Sequence, residues 1–141
     1  MAPVRMISTA VHRILLAFPT ALFPAALVTD IAYLRTAEMQ WTNFSAWLIV
    51  GGLVFCGAVL AWSLIDLLLG LRVDRSRGRL IYPGLLAILF VLGLLNAFKH
   101  SQDAWSSVGA FGLILSILSA LVVLVAAFIA YSGVLNREIA R

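Results

Sequence analysis

Charged residues are scarce in this sequence, where they make up 11% of 141 residues while hydrophobic residues make up 63%. Soluble domains have about 25% charged and about 45 to 50% apolar residues. The mean hydropathy of +1.07 lies far outside that range. The composition therefore predicts an integral membrane protein without a separate soluble module.

Cysteine is nearly absent as well, since Cys56 is the only one and it lies within an apolar run. One cysteine excludes a disulfide framework and a thiolate metal site within the chain, and we expect it to be a small buried hydrophobic residue. The sequence also lacks a helical His-Glu-x-x-His motif, a phosphate loop, a glycine-rich dinucleotide motif and a CxxCH haem attachment. No motif of a soluble enzyme is left, and no metal site is predicted.

Four apolar stretches are long enough to span a membrane, at residues 14–34, 44–71, 80–98 and 108–135. About 20 residues of helix cross the roughly 30 Å of hydrocarbon. Because the runs are continuous rather than alternating, they predict helices and not barrel strands. The expected fold is an all-α bundle of four transmembrane helices. It forms a single membrane domain over residues 1–141, since the polar intervals are too short to fold separately.

The basic residues are unevenly distributed among the polar segments. Eight of the ten lie before the first stretch, between the second and third, or after the fourth. The positive-inside rule then places both termini in the cytoplasm and Trp41, Trp47 and Trp105 near the opposite interface. The net charge of +4 is thus a mark of topology and not of nucleic-acid binding.

The loop between the second and third stretches is expected to contact anionic lipid. Its arginines are Arg72, Arg75, Arg77 and Arg79.

Small residues recur at intervals of four in two of the stretches. Gly112, Ser116 and Ala120 follow this spacing in the fourth stretch, and Gly57 and Ala61 follow it in the second. Such spacing lets helix backbones approach closely, which favours packing inside a bilayer. Chance in a chain rich in alanine and glycine is the alternative explanation.

The first stretch contains the segment FPTALFPAALVTD, which has two prolines and ends on a carboxylate. Pro19 and Pro24 cannot donate backbone hydrogen bonds, so each is expected to kink the helix. A carboxylate inside a span costs about 2.5 to 3.5 kcal/mol at the centre and less near the ends. We therefore expect Asp30 either to face the bundle, as functional intramembrane acids do, or to cap the interface without a further role.

One polar cluster is expected near the cytoplasmic end of the bundle. His12, Asp66 and Tyr82 should lie at similar depth, because the first and third stretches both start on that side. These three residues are the candidate cofactor-binding site. The alternative is that Asp66 pairs with an arginine of the basic loop and only fixes topology.

A second polar layer is expected at the outer end, from Asp30, Tyr33, Asn96 and His100. The polar neighbours of His100, which run from Lys99 to Asp103, predict a wet loop residue and not a ligand. Since the two histidines are expected on opposite sides, one chain cannot supply both axial ligands to one haem.

The segments VHRILLAFPTALFPAALVTD and LAWSLIDLLLG resemble a family of bacterial inner-membrane proteins known as domain of unknown function 2231. That family typically has His-Pro followed by Phe-Pro, an Asp late in the first span and a Gly-x-x-Asp near the end of the second. The matching positions are His12, Phe18, Pro19, Asp30 and Asp66. The resemblance extends over essentially the whole chain and implies a multi-pass protein of a bacterial inner membrane.

The chain departs from the family pattern at positions that bear on chemistry. Arg13 replaces the proline after the first histidine, Ala17 replaces the second histidine, and Tyr82 lies near an expected histidine. Ser63 stands where the family has glycine. Family members are sometimes fused to Rieske-type or cytochrome-type domains, which implies a place in membrane electron transfer, whereas the lost histidines imply a retained scaffold.

Our first functional hypothesis is a non-catalytic subunit that anchors or stabilises a redox or energy-converting complex together with other membrane subunits. The first alternative is electron transfer with haem b or a quinone bound near the cytoplasmic polar cluster, although no cofactor is the primary expectation. The second alternative is proton or small-solute transport along a path that uses Asp30 and Asp66.

Overall fold

The computed structural model describes the backbone of residues 2–70, 78–102 and 108–132, and the side chains of residues 10–69, 80–102 and 108–132. It contains four α-helices, α1 (Ala2–Thr36), α2 (Met39–Gly70), α3 (Gly78–His100) and α4 (Ala110–Ser132). Each helix includes a segment long and apolar enough to cross a membrane. The predicted all-α fold with four membrane-spanning helices is therefore confirmed, and the described residues include no strand. The cytoplasmic placement of the termini and the single domain stay predictions.

The four helices form a ring in chain order. Helix α1 packs against α2 and α4, and α3 packs against the same two neighbours. Successive helices run in opposite directions, so α1 and α3 are diagonal partners. We call the end at which α1 stops and α2 begins the α1–α2 end, and the end at which α2 stops and α3 begins the α2–α3 end.

Two hydrophobic layers fill the middle of the ring, and every helix contributes to both. The first layer contains Phe23 and Ala26 from α1, Leu89 from α3 and Val123 from α4. It is completed by residues of α2, which are Ile49, Leu53 and Cys56. The second layer, nearer the α2–α3 end, consists of Leu16, Val59, Leu86 and Ala126. Among the buried side chains that make up these two layers, only Cys56 carries a polar group, its thiol.

The ring of Phe23 packs between two glycines, one on the neighbouring helix α2 and one on the diagonal helix α3. A Cβ atom added at Gly93 of α3 would lie 2.9 Å from Cζ of Phe23 and 2.9 Å from Cδ2 of Leu53. A Cβ atom at Gly52 of α2 would lie 3.1 Å from the same ring. Phe23 is only 1% exposed, so it has little room to shift. The absence of side chains at both glycines is what admits this aromatic ring.

The five small residues expected at helix contacts have different environments. Gly112, Ser116 and Ala120 are buried on α4. Gly57 lies against Phe90, whose ring would be 3.3 Å from an added Cβ. Ala61, in contrast, is exposed on the outside of α2 and does not contribute to packing within the chain.

Helix α1 remains helical through both of its prolines. Pro19 is fully buried, and the hydroxyl of the following Thr20 donates to the carbonyl of Leu16 at 2.7 Å. The segment thus reaches Asp30 as one continuous helix, which fixes the depth of the carboxylate. Arg72, Arg75 and Arg77 of the basic loop lie outside the described residues, as do Trp105 and the side chain of Arg79.

We predict that Gly93→Ala destabilises the bundle by about 1 to 3 kcal/mol, because its methyl group overpacks the site that Phe23 occupies. The free energy of unfolding in mixed detergent micelles measures this loss. Gly84→Ala on the same helix is the matched control, since nothing lies within 4 Å of its added Cβ. Equal stability of the two variants would contradict the proposed fit of Phe23.

Candidate functional site

The carboxylate of Asp30 is completely buried and is hydrogen-bonded to all three other helices. Ser45 of α2 donates to Asp30 Oδ1 at 2.5 Å, and His100 of α3 places Nε2 at 2.9 Å from the same oxygen. Ser116 of α4 donates to Asp30 Oδ2. Asn96 extends the layer, since its Nδ2 donates to Ser116 Oγ at 2.8 Å. We call these five residues the Asp30 layer.

The helices bring these side chains together because each lies near the α1–α2 end of its helix. Asp30 is six residues before the end of α1 at Thr36, and Ser45 is six residues after the start of α2 at Met39. His100 is the last residue of α3, with Asn96 one turn earlier. In an antiparallel ring these positions fall at the same depth.

The partners of His100 determine how many protons the histidine–aspartate pair holds. Nδ1 of His100 lies 2.9 Å from the backbone oxygen of Asn96, and a carbonyl oxygen can only accept, so Nδ1 carries a hydrogen. One further proton must lie between Nε2 and Asp30 Oδ1, since two lone pairs would otherwise face each other at 2.9 Å. Whether it resides on nitrogen or on oxygen, the pair has no net charge. A neutral pair is compatible with burial inside a membrane.

The hydroxyl and amide groups of the layer donate in one direction. Asn96 donates to Ser116, and Ser116 donates to Asp30. This leaves Asn96 Oδ1 buried without a hydrogen-bond partner among the described residues, and Ser119 Oγ, one turn along α4 from Ser116, is in the same condition. The hydrogen bonds of the layer are therefore directed toward the carboxylate of Asp30, whereas Asn96 Oδ1 and Ser119 Oγ have no partner among the described residues.

The contribution of the Asp30 layer to the stability of the bundle follows from its burial. Removing one partner of a buried ion pair typically costs about 3 to 5 kcal/mol, because the remaining charge is left uncompensated. Since the partners of Asp30 lie on α2, α3 and α4, separating any one helix from the ring would break at least one hydrogen bond to the carboxylate. The layer thus links the diagonal helices α1 and α3, whose side chains meet here.

The expectation that His100 is a wet loop residue is wrong. His100 ends α3, and its side chain is completely buried. The physical reason is that the buried carboxylate of Asp30 requires hydrogen-bond partners. Helix α3 extends two residues beyond the predicted apolar stretch, and this extension places His100 beside Asp30. The structure brings Asp30, Asn96 and His100 together, as the expected outer polar layer requires, and Asp30 faces the bundle.

Sequence reasoning missed the role of Ser45 and assigned Ser116 only to helix packing. Both hydroxyls are 0 to 1% exposed. Serine gives no distinctive signal in an apolar helix, because its hydroxyl commonly bonds to its own backbone. The two serines could have been predicted as partners only by comparing all the helices, because a buried carboxylate requires hydrogen-bond donors at matching depth on the other helices.

A pocket of about 390 Å³ lies at the same end of the bundle and borders His100. Its other lining residues belong mainly to the start of α2, including Gln40, Thr42, Asn43 and Ala46, and it also touches Gln102. Four of its seven described lining residues carry a hydroxyl or amide side chain. The pocket therefore lies between His100, whose side chain is itself buried, and the polar helix ends.

The residues predicted as a cofactor site lie at the opposite, α2–α3 end, and only two of them are joined by a hydrogen bond. His12 Nε2 is 2.8 Å from the hydroxyl oxygen of Tyr82, and the rings of His12 and Trp62 meet edge to face at a centroid distance of 6.1 Å. Asp66 is exposed and has no hydrogen bond to His12 or Tyr82. The site is therefore a half-buried histidine–tyrosine pair beside an aromatic ring.

Sequence comparison gives the family of the chain. Residues 8–135 match the model of a family described as predicted membrane protein, DUF2231. The chain belongs to the DUF2231 family. No curated protein and no solved structure matches it. The family assignment that the sequence motifs suggested is thereby confirmed, and with it the character of this DUF2231 protein as a membrane protein.

The described residues of this DUF2231 protein limit the cofactors that it could hold. No group of three or more histidine, cysteine or acidic side chains among them could bind a metal ion. The two histidines lie at opposite ends of the bundle, and both ring nitrogens of His100 are engaged. His12 and Asp30 are 18 residues apart on α1, which is about 27 Å of helix. One chain therefore does not fit a haem with two histidine ligands.

We predict that Ser116→Ala and Ser119→Ala have opposite outcomes although both remove one buried hydroxyl from α4. Ser116→Ala should reduce the free energy of unfolding by about 1 to 2 kcal/mol, because Asp30 loses a donor and Asn96 loses an acceptor. Ser119→Ala should be neutral or slightly stabilising, because its hydroxyl has no partner to lose.

Unfolding of both variants in mixed micelles, with the wild type alongside, measures these differences. Equal losses in the two variants would show that the hydroxyl of Ser116 contributes nothing specific to the Asp30 layer.

Proposed function

We propose that this DUF2231 protein is a non-catalytic subunit that anchors or stabilises a redox or energy-converting complex in a bacterial inner membrane. The observation that carries the proposal is the Asp30 layer, in which the most deeply buried polar groups bind one another and so join all four helices. Such a bundle is suited to a structural role, because its intramembrane polar groups bind one another and hold its own helices together.

The interior of the bundle supports the same proposal. The two hydrophobic layers are filled by side chains from every helix. Cys56 is completely buried, and its Sγ lies 3.7 Å from the carbonyl oxygen of Leu86. This thiol therefore fits its expected role as a small hydrophobic residue.

The outer surface offers large apolar side chains for contact with lipid and with other membrane subunits. Trp47 on α2 is 71% exposed, Phe98 on α3 is 66% exposed and Phe128 on α4 is 68% exposed. Phe18 and Phe55 stack in parallel across α1 and α2 at a centroid distance of 4.1 Å. Rigid aromatic groups of this kind are enriched where proteins meet. The resemblance to a family whose members are sometimes fused to Rieske-type or cytochrome-type domains supports a redox complex as the assembly.

The proposal predicts that the chain leaves the membrane as part of a larger assembly. A photo-crosslinking amino acid placed at Trp47, at Phe98 or at Phe128 in native membranes should join the chain to one defined polypeptide from one face of the bundle. Native electrophoresis after gentle solubilisation should show the same polypeptide migrating with the chain.

The same crosslinker placed at the buried Val123 is the negative control, since that side chain is not exposed. A chain that migrates alone under every mild condition, with crosslinks to lipid only, would overturn the proposed function.

A second candidate function is quinone binding at the α2–α3 end, which the His12–Tyr82 hydrogen bond favours. A quinone carbonyl accepts hydrogen bonds, and either the phenol or the imidazole can donate one. Trp62 supplies an aromatic face beside the pair. These residues fit a quinone ring better than a haem, because only His12 is available there as a ligand. A transport path from Asp30 to Asp66 is less well supported, since both hydrophobic layers lie between the two carboxylates.

For this second function we predict that a quinone extracts with the purified wild-type protein and is lost from Tyr82→Phe, which removes only the hydroxyl. Organic extraction followed by chromatography measures the amount. Tyr131→Phe is the matched control, because that hydroxyl bonds to the carbonyl of Arg13 and not to His12. Wild-type protein without extractable quinone and without a Soret band would eliminate redox binding at this site.

A further inference from the structure

The histidine–aspartate pair of the Asp30 layer has the features of a binding site for a single proton. Nδ1 of His100 is committed to the Asn96 carbonyl, so the variable proton is the one between Nε2 and Asp30 Oδ1. Loss of that proton would leave a carboxylate facing an imidazole lone pair at 2.9 Å. The proton thus makes the hydrogen bond by which Asp30 of α1 holds His100 of α3 across the diagonal of the ring.

A pocket lies beside the buried site at one end of the bundle. His100 borders the pocket at the α1–α2 end, whose hydroxyl and amide side chains can order water. On the other side of the layer lie Phe23, Leu53 and the rest of the first hydrophobic layer, followed by the second. Apart from the buried thiol of Cys56, whose Sγ faces the carbonyl oxygen of Leu86, the buried side chains of these layers have no group that passes a proton, so exchange should take place through the pocket.

Other titratable groups at this end are few in the part of the chain that the structure describes. They are Tyr33 and Arg35 on α1, Glu38 before α2, and Lys99 on α3. Lys99 donates to Gln102 at 2.7 Å, and Glu38 and Arg35 are exposed. The described part of α4 has no titratable side chain there. Asp103, which follows α3 in the sequence, lies outside the described residues.

We propose that Asp30 and His100 form an intramembrane proton-binding site that exchanges its proton only with the α1–α2 side of the membrane. Protonation there joins the four helices through the carboxylate, and deprotonation weakens the link between α1 and α3. The chain would thereby respond to proton activity on one side of the membrane. This role goes beyond that of a structural subunit and does not depend on it.

Nitrogen-15 NMR of the full chain, labelled only at histidine and held in detergent micelles, tests the proposal directly. With two histidines in the sequence, the ring nitrogens of His12 and His100 give two sets of signals, which His12→Gln assigns. Spectra are recorded from about pH 5 to pH 9, and we expect His100 to keep Nδ1 protonated while its Nε2 signal reports the presence or loss of the proton shared with Asp30. Asp30→Asn should abolish or displace that signal, whereas Asp66→Asn, at the exposed acid, should leave it in place.

The wild-type titration keeps the proposal falsifiable even if Asp30→Asn fails to fold. A His100 signal that shows no change over this pH range would overturn it, as would a signal that titrates identically in wild type and Asp30→Asn. Loss of partner subunits in native electrophoresis, with the titration intact, would concern only the proposed function.

Filling the pocket tests the route of exchange. Ala46→Phe should slow the exchange of the His100 ring protons with water, because Ala46 lines the pocket. Ala58→Phe places the same side chain on the exposed side of α2 and should leave the exchange rate unchanged. Equal exchange rates in the two variants would overturn the one-sided access.

Discussion

The buried carboxylate of Asp30 sets the conditions that the rest of the bundle must meet. An acid with no solvent contact needs donors from the protein, and the carboxylate of Asp30 receives them from other helices. Ser45, His100 and Ser116 provide the donors from three different helices. The same requirement therefore fixes the depth of each helix and the order of the helices around the ring. These hydrogen bonds matter more in a bilayer than in water, because apolar helix faces gain little hydrophobic free energy by packing against one another instead of against lipid.

The fold could be predicted from the sequence because its main determinant is local. Each apolar run is long enough to cross the hydrocarbon, and that property needs no knowledge of the neighbouring helices. The inward position of Asp30 also follows from a local cost, since lipid does not solvate a carboxylate. The partners of Asp30 are a different matter, because they depend on which helices adjoin and at what depth. His100 sits among polar neighbours that are typical of a loop, and Ser45 has no feature that separates it from other serines.

The same limit applies to helix contacts and to the second cluster. Gly93, Gly57 and Ala61 are alike as small residues in apolar helices, yet only Gly93 receives the ring of Phe23. Small-residue spacing indicates where a close approach is possible, whereas the large residue that uses it lies on another helix. Asp66 shares the expected depth of His12 and Tyr82 but points outward. Depth along a helix can be read from a sequence, and the direction around the helix cannot be fixed when nearly every face is apolar.

The polar layer and the packing of Phe23 are parts of one repeating arrangement. Phe23 is seven residues before Asp30 on α1, and Gly93 is seven residues before His100 on α3. On the two helices of opposite direction, Gly52 is seven residues after Ser45 and Val123 is seven residues after Ser116. Seven residues are close to two helical turns, or about 10.5 Å. On each helix, the residue of the Asp30 layer and the residue at the depth of Phe23 therefore lie on nearly the same face.

A shared spacing of seven is typical of helices that cross at a small angle with interlocking side chains. The Asp30 layer and the packing of Phe23 therefore reinforce each other. Sliding one helix along its axis would separate Asp30 from a donor and at the same time drive Phe23 against a side chain larger than glycine. Hydrogen bonding alone would tolerate small shifts, and apolar packing alone would tolerate exchange of one helix for another. Together they allow one register, which explains why a chain with so few polar residues places them at matching positions on all four helices.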